Sequence, residues 1–162
     1  MKLLRTIRFD SSDDHVYERA AAAGEWAVSG VFAFAGLGET ELVGKTRQAF
    51  ANGFLGVASF GRSTFVTVAE ASEADCDEVA YRLALHFVEH FGAPDVEAAL
   101  PAAEAEVAFA RDLAEGVPIN TVLTLRRVRD ATGEIREELR KIRPPSAEPQ
   151  HARIWTSEPD DA

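Results

Sequence analysis

A single cysteine, Cys76, stands in 162 residues, so the chain has no internal disulfide and no thiolate cluster for zinc or an iron–sulfur centre. Long apolar runs are missing too: nothing approaches the roughly 18 residues of a membrane-spanning helix. Arg5 and Arg8 interrupt the N-terminal MKLLRTIRFDSSDD before a signal-peptide core can form. A cytoplasmic protein is expected. Basic charge is in deficit, with 17 Lys and Arg against 27 Asp and Glu and a formal net charge of −10. Such a chain repels phosphate backbones and anionic lipid, which argues against nucleic-acid and membrane partners. No Gly-x-Ser-x-Gly elbow occurs, and the serine of GRSTF has no histidine near it in sequence. Cys76 follows Glu73 and lies between Asp75 and Asp77, which oppose a thiolate, so it reads as a small core residue.

What is present describes a globular domain. Apolar residues make up 46% and charged ones 27%, near the averages for folded domains, and the length suits one hydrophobic core. One α+β domain is expected over residues 1–145, an antiparallel β-sheet with helices packed on one face. Residues 146–162 read as a proline-rich acidic tail, partly docked through Ile154 and Trp155.

KLLRTIRF has the side chains of a first strand, and the alternation of Phe32 and Phe34 with Val31, Ala33 and Ala35 predicts another. LGVASFGRSTFVTVA predicts a β-hairpin turning at Gly61-Arg62. ASEADCDEVAYRLALHFVEHFGAP predicts the best-marked helix, with a Ser72/Asp75 capping box, Gly92 at its end and Pro94 beyond. LPAAEAEVAFARDLAEGVP predicts a second helix with Pro101 in its first position. A strand near Val122 leads into a segment of two readings. A hairpin through DATG pairs Val128 with Ile135 and Arg126 with Glu137, whereas Ile135, Leu139 and Ile142 also fit helical spacing.

Three stretches carry possible chemistry. HFVEH places His86, Glu89 and His90 at the spacing of an inverted zinc-peptidase motif, with two imidazoles one turn apart and a carboxylate able to handle a water proton. On a helical wheel both histidines fall on the margin of the polar face, away from Val79, Leu83 and Phe87. No spacing singles out a third ligand, so neither a metal nor any other cofactor is assigned. GETELVGKT is a near miss to a phosphate-binding loop: Gly44-Lys45-Thr46 are in place, but Glu39 occupies the required first glycine. Lys45, Arg47 and Arg62, set among glycines, are the candidate ligand-binding residues for a small anion. The arginines of LRRVRD and REELRKIR are interleaved with Glu134, Glu137 and Glu138 and have no aromatic neighbours to stack on bases.

KLLRTIRFD, GEWAVSG, GKTRQAFANGFLG, FGRSTFV and HARIW together resemble a small family of uncharacterised bacterial proteins, mainly alphaproteobacterial. The resemblance implies a bacterial, soluble, cytoplasmic protein and transfers no catalytic residue. The leading expectation is a non-enzymatic accessory or protein-interaction domain, with an unknown protein partner or self-association. A metal-dependent hydrolase built on HFVEH and a small-anion-binding protein are the alternatives.

Overall fold

The computed structural model describes residues 1–142, so the expected docking of Ile154 and Trp155 lies outside the described residues. Strand β1 (Lys2–Ile7) buries Leu3 and Leu4, consecutive residues whose side chains leave opposite faces of a strand, so β1 is covered on both sides. That position is central: the seven-stranded sheet runs β4-β3-β2-β1-β5-β6-β7, and every neighbouring pair in it is antiparallel. Here β2 is Trp26–Val28, β3 Phe54–Gly56, β4 Arg62–Ser63, β5 Phe65–Glu70, β6 Val122–Arg129 and β7 Ile135–Ile142. The α+β expectation holds.

Helix α3 (Glu73–His90) begins with the anticipated capping box, in which the Ser72 side chain accepts from the Asp75 N–H and the Asp75 carboxylate accepts from the Ser72 N–H. Gly92, at φ 80°, follows its end in the left-handed region. Helix α4 (Val96–Ala114) starts five residues earlier than expected, because Asp95 caps it through the Ala98 N–H. Pro101 therefore sits inside the helix and not at its first position. The two helices pack together and enclose one core with Leu3, Val28, Leu55 and Val57, in which Leu83, Ala84, Ala103 and Ala110 are fully buried. Cys76 belongs to this core, and burial pushes its thiol pKa up, as expected of a structural cysteine.

Three local expectations are corrected. Val31–Phe34 is a short 3-10 helix instead of a strand: Gly30, at φ 76°, turns the chain, and Phe34 then buries against Phe50. Alternation over four residues fits a single 3-10 turn as well as a strand once a glycine precedes it. The hairpin of β3 and β4 exists, but its turn is Val57–Phe60, with Gly61 and Arg62 already returning along β3. The positive φ falls on Phe60, at 61°. The last hairpin, β6 with β7, is a strand pair as read, with the register moved by one: Val128 faces Arg136 and Arg126 faces Glu138. That single step places Arg127 opposite Glu137.

Gly61 serves close approach and not turning. The alanine-rich segment before β2 runs beside it, with the Arg62 N–H donating to the Arg19 carbonyl and the Ala21 N–H to the Arg62 carbonyl, both at 2.8 Å. A β-carbon on Gly61 would lie 2.6 Å from the Ala20 carbonyl carbon, a backbone atom that cannot yield cheaply. Gly61→Ala is expected to lower stability by about 1–3 kcal/mol in urea unfolding, the usual cost of overpacking.

Candidate functional site

Arg127 lies on a strand in which Leu123 and Leu125 share its face, and it is 2% exposed. Its Nε donates to Glu137 Oε2 at 2.6 Å from the facing position on β7. One terminal nitrogen donates to the Phe50 carbonyl at 3.0 Å and more weakly to that of Ala49; the other bonds the carbonyl and hydroxyl of Ser29. Ser29 Oγ in turn donates to Glu137 Oε2 at 2.5 Å. Burial lowers the proton affinity of this guanidinium, and the Glu137 contact pulls it back up. The arrangement ties β6, β7, the end of β2 and helix α2 (Gly44–Asn52) to one side chain.

Arg62 lies nearby, also buried. It donates to the Gly53 carbonyl at 3.1 Å and the Gly30 carbonyl at 3.2 Å, and has no carboxylate partner among the described residues. Both guanidiniums stand against the ring of Phe34, at 4.6 Å for Arg62 and 5.4 Å for Arg127. Burial first, and then the like charge of Arg127, pull the Arg62 pKa down to about 9, which leaves it a cation at neutral pH. Tyr17 borders the same centre. Its hydroxyl is 2.8 Å from Asn52 Oδ1 and 2.9 Å from Thr64 Oγ1, and Thr64 donates to the buried Asp13 carboxylate.

The three residues read from sequence as an anion site are spread along α2. Lys45 is exposed in its first turn, whereas Arg62 bonds the carbonyl of Gly53 at its other end, about 13 Å away along a nine-residue helix. Arg47 is exposed and faces a cleft of about 440 Å³ between α2 and β6. Leu42, Val43 and Phe50 give that cleft an apolar side, Arg129 a cationic one, and Glu39 supplies its carboxylate. Arg129 donates one terminal N–H to the Leu37 carbonyl at 2.8 Å, while its Nε is buried without a partner among the described residues. No side chain caps the first turn of α2, so backbone N–H groups there keep their free donor capacity beside Val43. Arg127, Arg129, Ser29 and Glu137 were not singled out from sequence. The one available signal was the alternation of Leu123, Leu125, Arg127 and Arg129 on one face of a strand, which the misplaced register concealed.

His86 and His90 do share a face of α3, and with Glu89 they offer ligand atoms that all lie within 4.8 Å of one another. Only His86 is less wet than the wheel implied. His86 is half-buried, with Nε2 2.9 Å from the Val57 carbonyl, and its ring stacks on Phe60 at 4.2 Å. His90 is exposed.

Removing Arg127 would leave the Glu137 carboxylate, 12% exposed, without its cation. Arg127→Met is expected to cost about 3–5 kcal/mol in denaturant unfolding, and adding Glu137→Leu should recover part of that loss. Tyr17 yields a pH dependence. Burial raises its pKa from 10.0 to about 12. Between those values the unfolded chain has released the phenolic proton and the folded chain keeps it, so stability from this group is full below pH 10 and falls as pH rises to 12. The stability advantage of the native protein over Tyr17→Phe should therefore shrink by about 2–3 kcal/mol across that window.

Comparison with known proteins adds a family and nothing finer. No curated protein matches the chain, and no solved structure does either. One family model matches residues 1–159, a span that includes the buried arginine centre, the α2–β6 cleft and the histidine pair. The chain belongs to that family, a family of unknown function designated DUF6505.

Proposed function

We propose that this protein is a non-enzymatic binding domain whose α2–β6 cleft takes a small organic anion with an apolar body. The observation that carries the reading is the set of donors at one concave site: Arg129 in its wall, the exposed Arg47 and the uncapped start of α2. An anionic head held by Arg47 at the first turn of α2 meets the free backbone N–H donors there. Leu42, Val43 and Phe50 offer the hydrophobic contact that a bare ion would not use. Lys45, in the same first turn, adds positive potential at the entrance, and Arg62 and Arg127 support the site from behind through Gly53 and Phe50. The anion reading of Lys45, Arg47 and Arg62 is thus kept with changed roles. Arg47 makes contact, Lys45 attracts, and Arg62 holds the end of α2. In a chain of net charge −10 such a concentration of cations is local and selective for charge.

The test uses benzoate as the probe, followed by nitrogen–proton correlation spectra that include arginine Nε–H signals. Saturable shifts are expected at Arg129 Nε and at the amides of Gly44 to Thr46. Arg47→Ala should weaken binding about tenfold or more, the scale of one lost charge-assisted hydrogen bond. Shifts scattered over the surface, or binding unchanged in Arg47→Ala, would overturn the reading.

A further inference from the structure

We infer that His86, Glu89 and His90 form a binding site for one divalent transition-metal ion of the zinc type, separate from the anion cleft and independent of it. A carbonyl oxygen can only accept, so the 2.9 Å contact of His86 Nε2 with the Val57 carbonyl requires Nε2 to carry the proton. The remaining lone pair of that imidazole is on Nδ1, and Nδ1 is buried with no hydrogen-bond partner among the described residues. A backbone carbonyl holding the far N–H of an imidazole is the usual outer support of a metal-ligating histidine, since it fixes the ring and raises the basicity of the free nitrogen.

The other two ligands are in reach. Glu89 Oε1 and His90 Nε2 are 3.4 Å apart, the edge of a tetrahedron whose centre is about 2.1 Å from each corner, the zinc–ligand distance. One ring nitrogen of each histidine and a Glu89 carboxylate oxygen lie within 4.8 Å of one another, and the side chains of Glu89 and His90 are 72% and 52% exposed, so both can rotate toward His86 Nδ1 without disturbing the core. Two imidazoles with one carboxylate favour zinc, copper or nickel over magnesium or calcium, which prefer oxygen ligands. Three protein ligands leave one tetrahedral position to solvent, the arrangement of an open site and not of a sealed structural one.

Phe60 supplies the second, independent observation. It holds φ 61°, a conformation that is a genuine outlier for a bulky side chain, and its N–H bonds the Gly56 carbonyl at 2.9 Å. In that position its ring stacks on His86 at 4.2 Å and lies 5.8 Å from His90, nearly parallel to both. The turn between β3 and β4 thereby screens one side of both imidazoles and fixes the half-buried one. Arg82, one turn before His86, does not spoil the site: its Nε is drawn to Glu78 at 3.1 Å.

Calorimetric titration of the chelator-treated full chain with zinc chloride tests the inference, with cobalt(II) absorption as a second readout of ligand geometry. One ion per chain in the micromolar range is expected, with the intense visible bands of tetrahedral cobalt and no heat from magnesium. His90→Ala and Glu89→Gln change exposed side chains and should each weaken zinc binding about tenfold or more, as loss of a ligand does, while the far-ultraviolet circular dichroism stays native. Absence of zinc binding, or binding that persists unchanged in both variants, would overturn it; the second result would place the ion on scattered surface carboxylates.

Discussion

The structure depends most on one buried guanidinium. Arg127 meets a carboxylate on the neighbouring strand, carbonyls at the end of α2, and both the carbonyl and hydroxyl of Ser29 beyond β2. Those groups come from separate parts of the chain, and each leaves a polar atom that water cannot reach. One planar side chain with five donors satisfies several of them together, which a lysine could not do. Arg62 repeats the device at smaller scale, holding Gly53 and Gly30 without a carboxylate to balance it. A second cation at the same centre is tolerated because the ring of Phe34 stands against both guanidiniums and attracts each.

This centre also positions the cleft. Because Arg127 is fixed to Phe50 and Ala49, the end of α2 is held against β6, and the exposed Arg47 on the same helix is carried to one side of the groove that Arg129 lines on the other. The structural arginines and the binding ones are neighbours on one strand, Arg127 turned to the interior bonds and Arg129 leaving a donor free. At the far edge of the sheet the β3–β4 turn works similarly: Phe60, in a strained conformation, brings its ring onto the histidines of α3 while Val57 bonds one of them.

How legible these features were in the sequence follows the range of the interactions. The capping box of α3 was readable because Ser72 and Asp75 are three residues apart and satisfy each other's backbone. The strand character of β1 and the β6–β7 hairpin were readable from alternation and a short polar loop. The errors were also local and informative. Gly61 looked like a turn glycine, yet its need arises from Ala20, some forty residues earlier, a contact no neighbouring residue announces. The start of α4 was set by Asp95 and not by Pro101, since a side-chain acceptor for free N–H groups outweighs a preference for proline in the first turn.

The amino-acid order alone determined what depends on near neighbours and on totals: an α+β chain with helix ends marked by their caps, a single cysteine, and an acidic net charge. It also placed His86, Glu89 and His90 on one helical face, because a 3.6-residue period fixes that geometry whatever the rest of the fold does. Only the tertiary structure decided which arginines are buried, which one faces a cleft, and that a phenylalanine from a distant turn covers the histidines. A one-residue change of register exchanges the interior and exterior faces of a strand, and sequence periodicity cannot distinguish the two when arginines occupy both. The choice fell to long-range hydrogen bonding: Arg127 goes inside because Glu137, Ser29 and the carbonyls of α2 meet there, and no segment of the chain holds that information by itself.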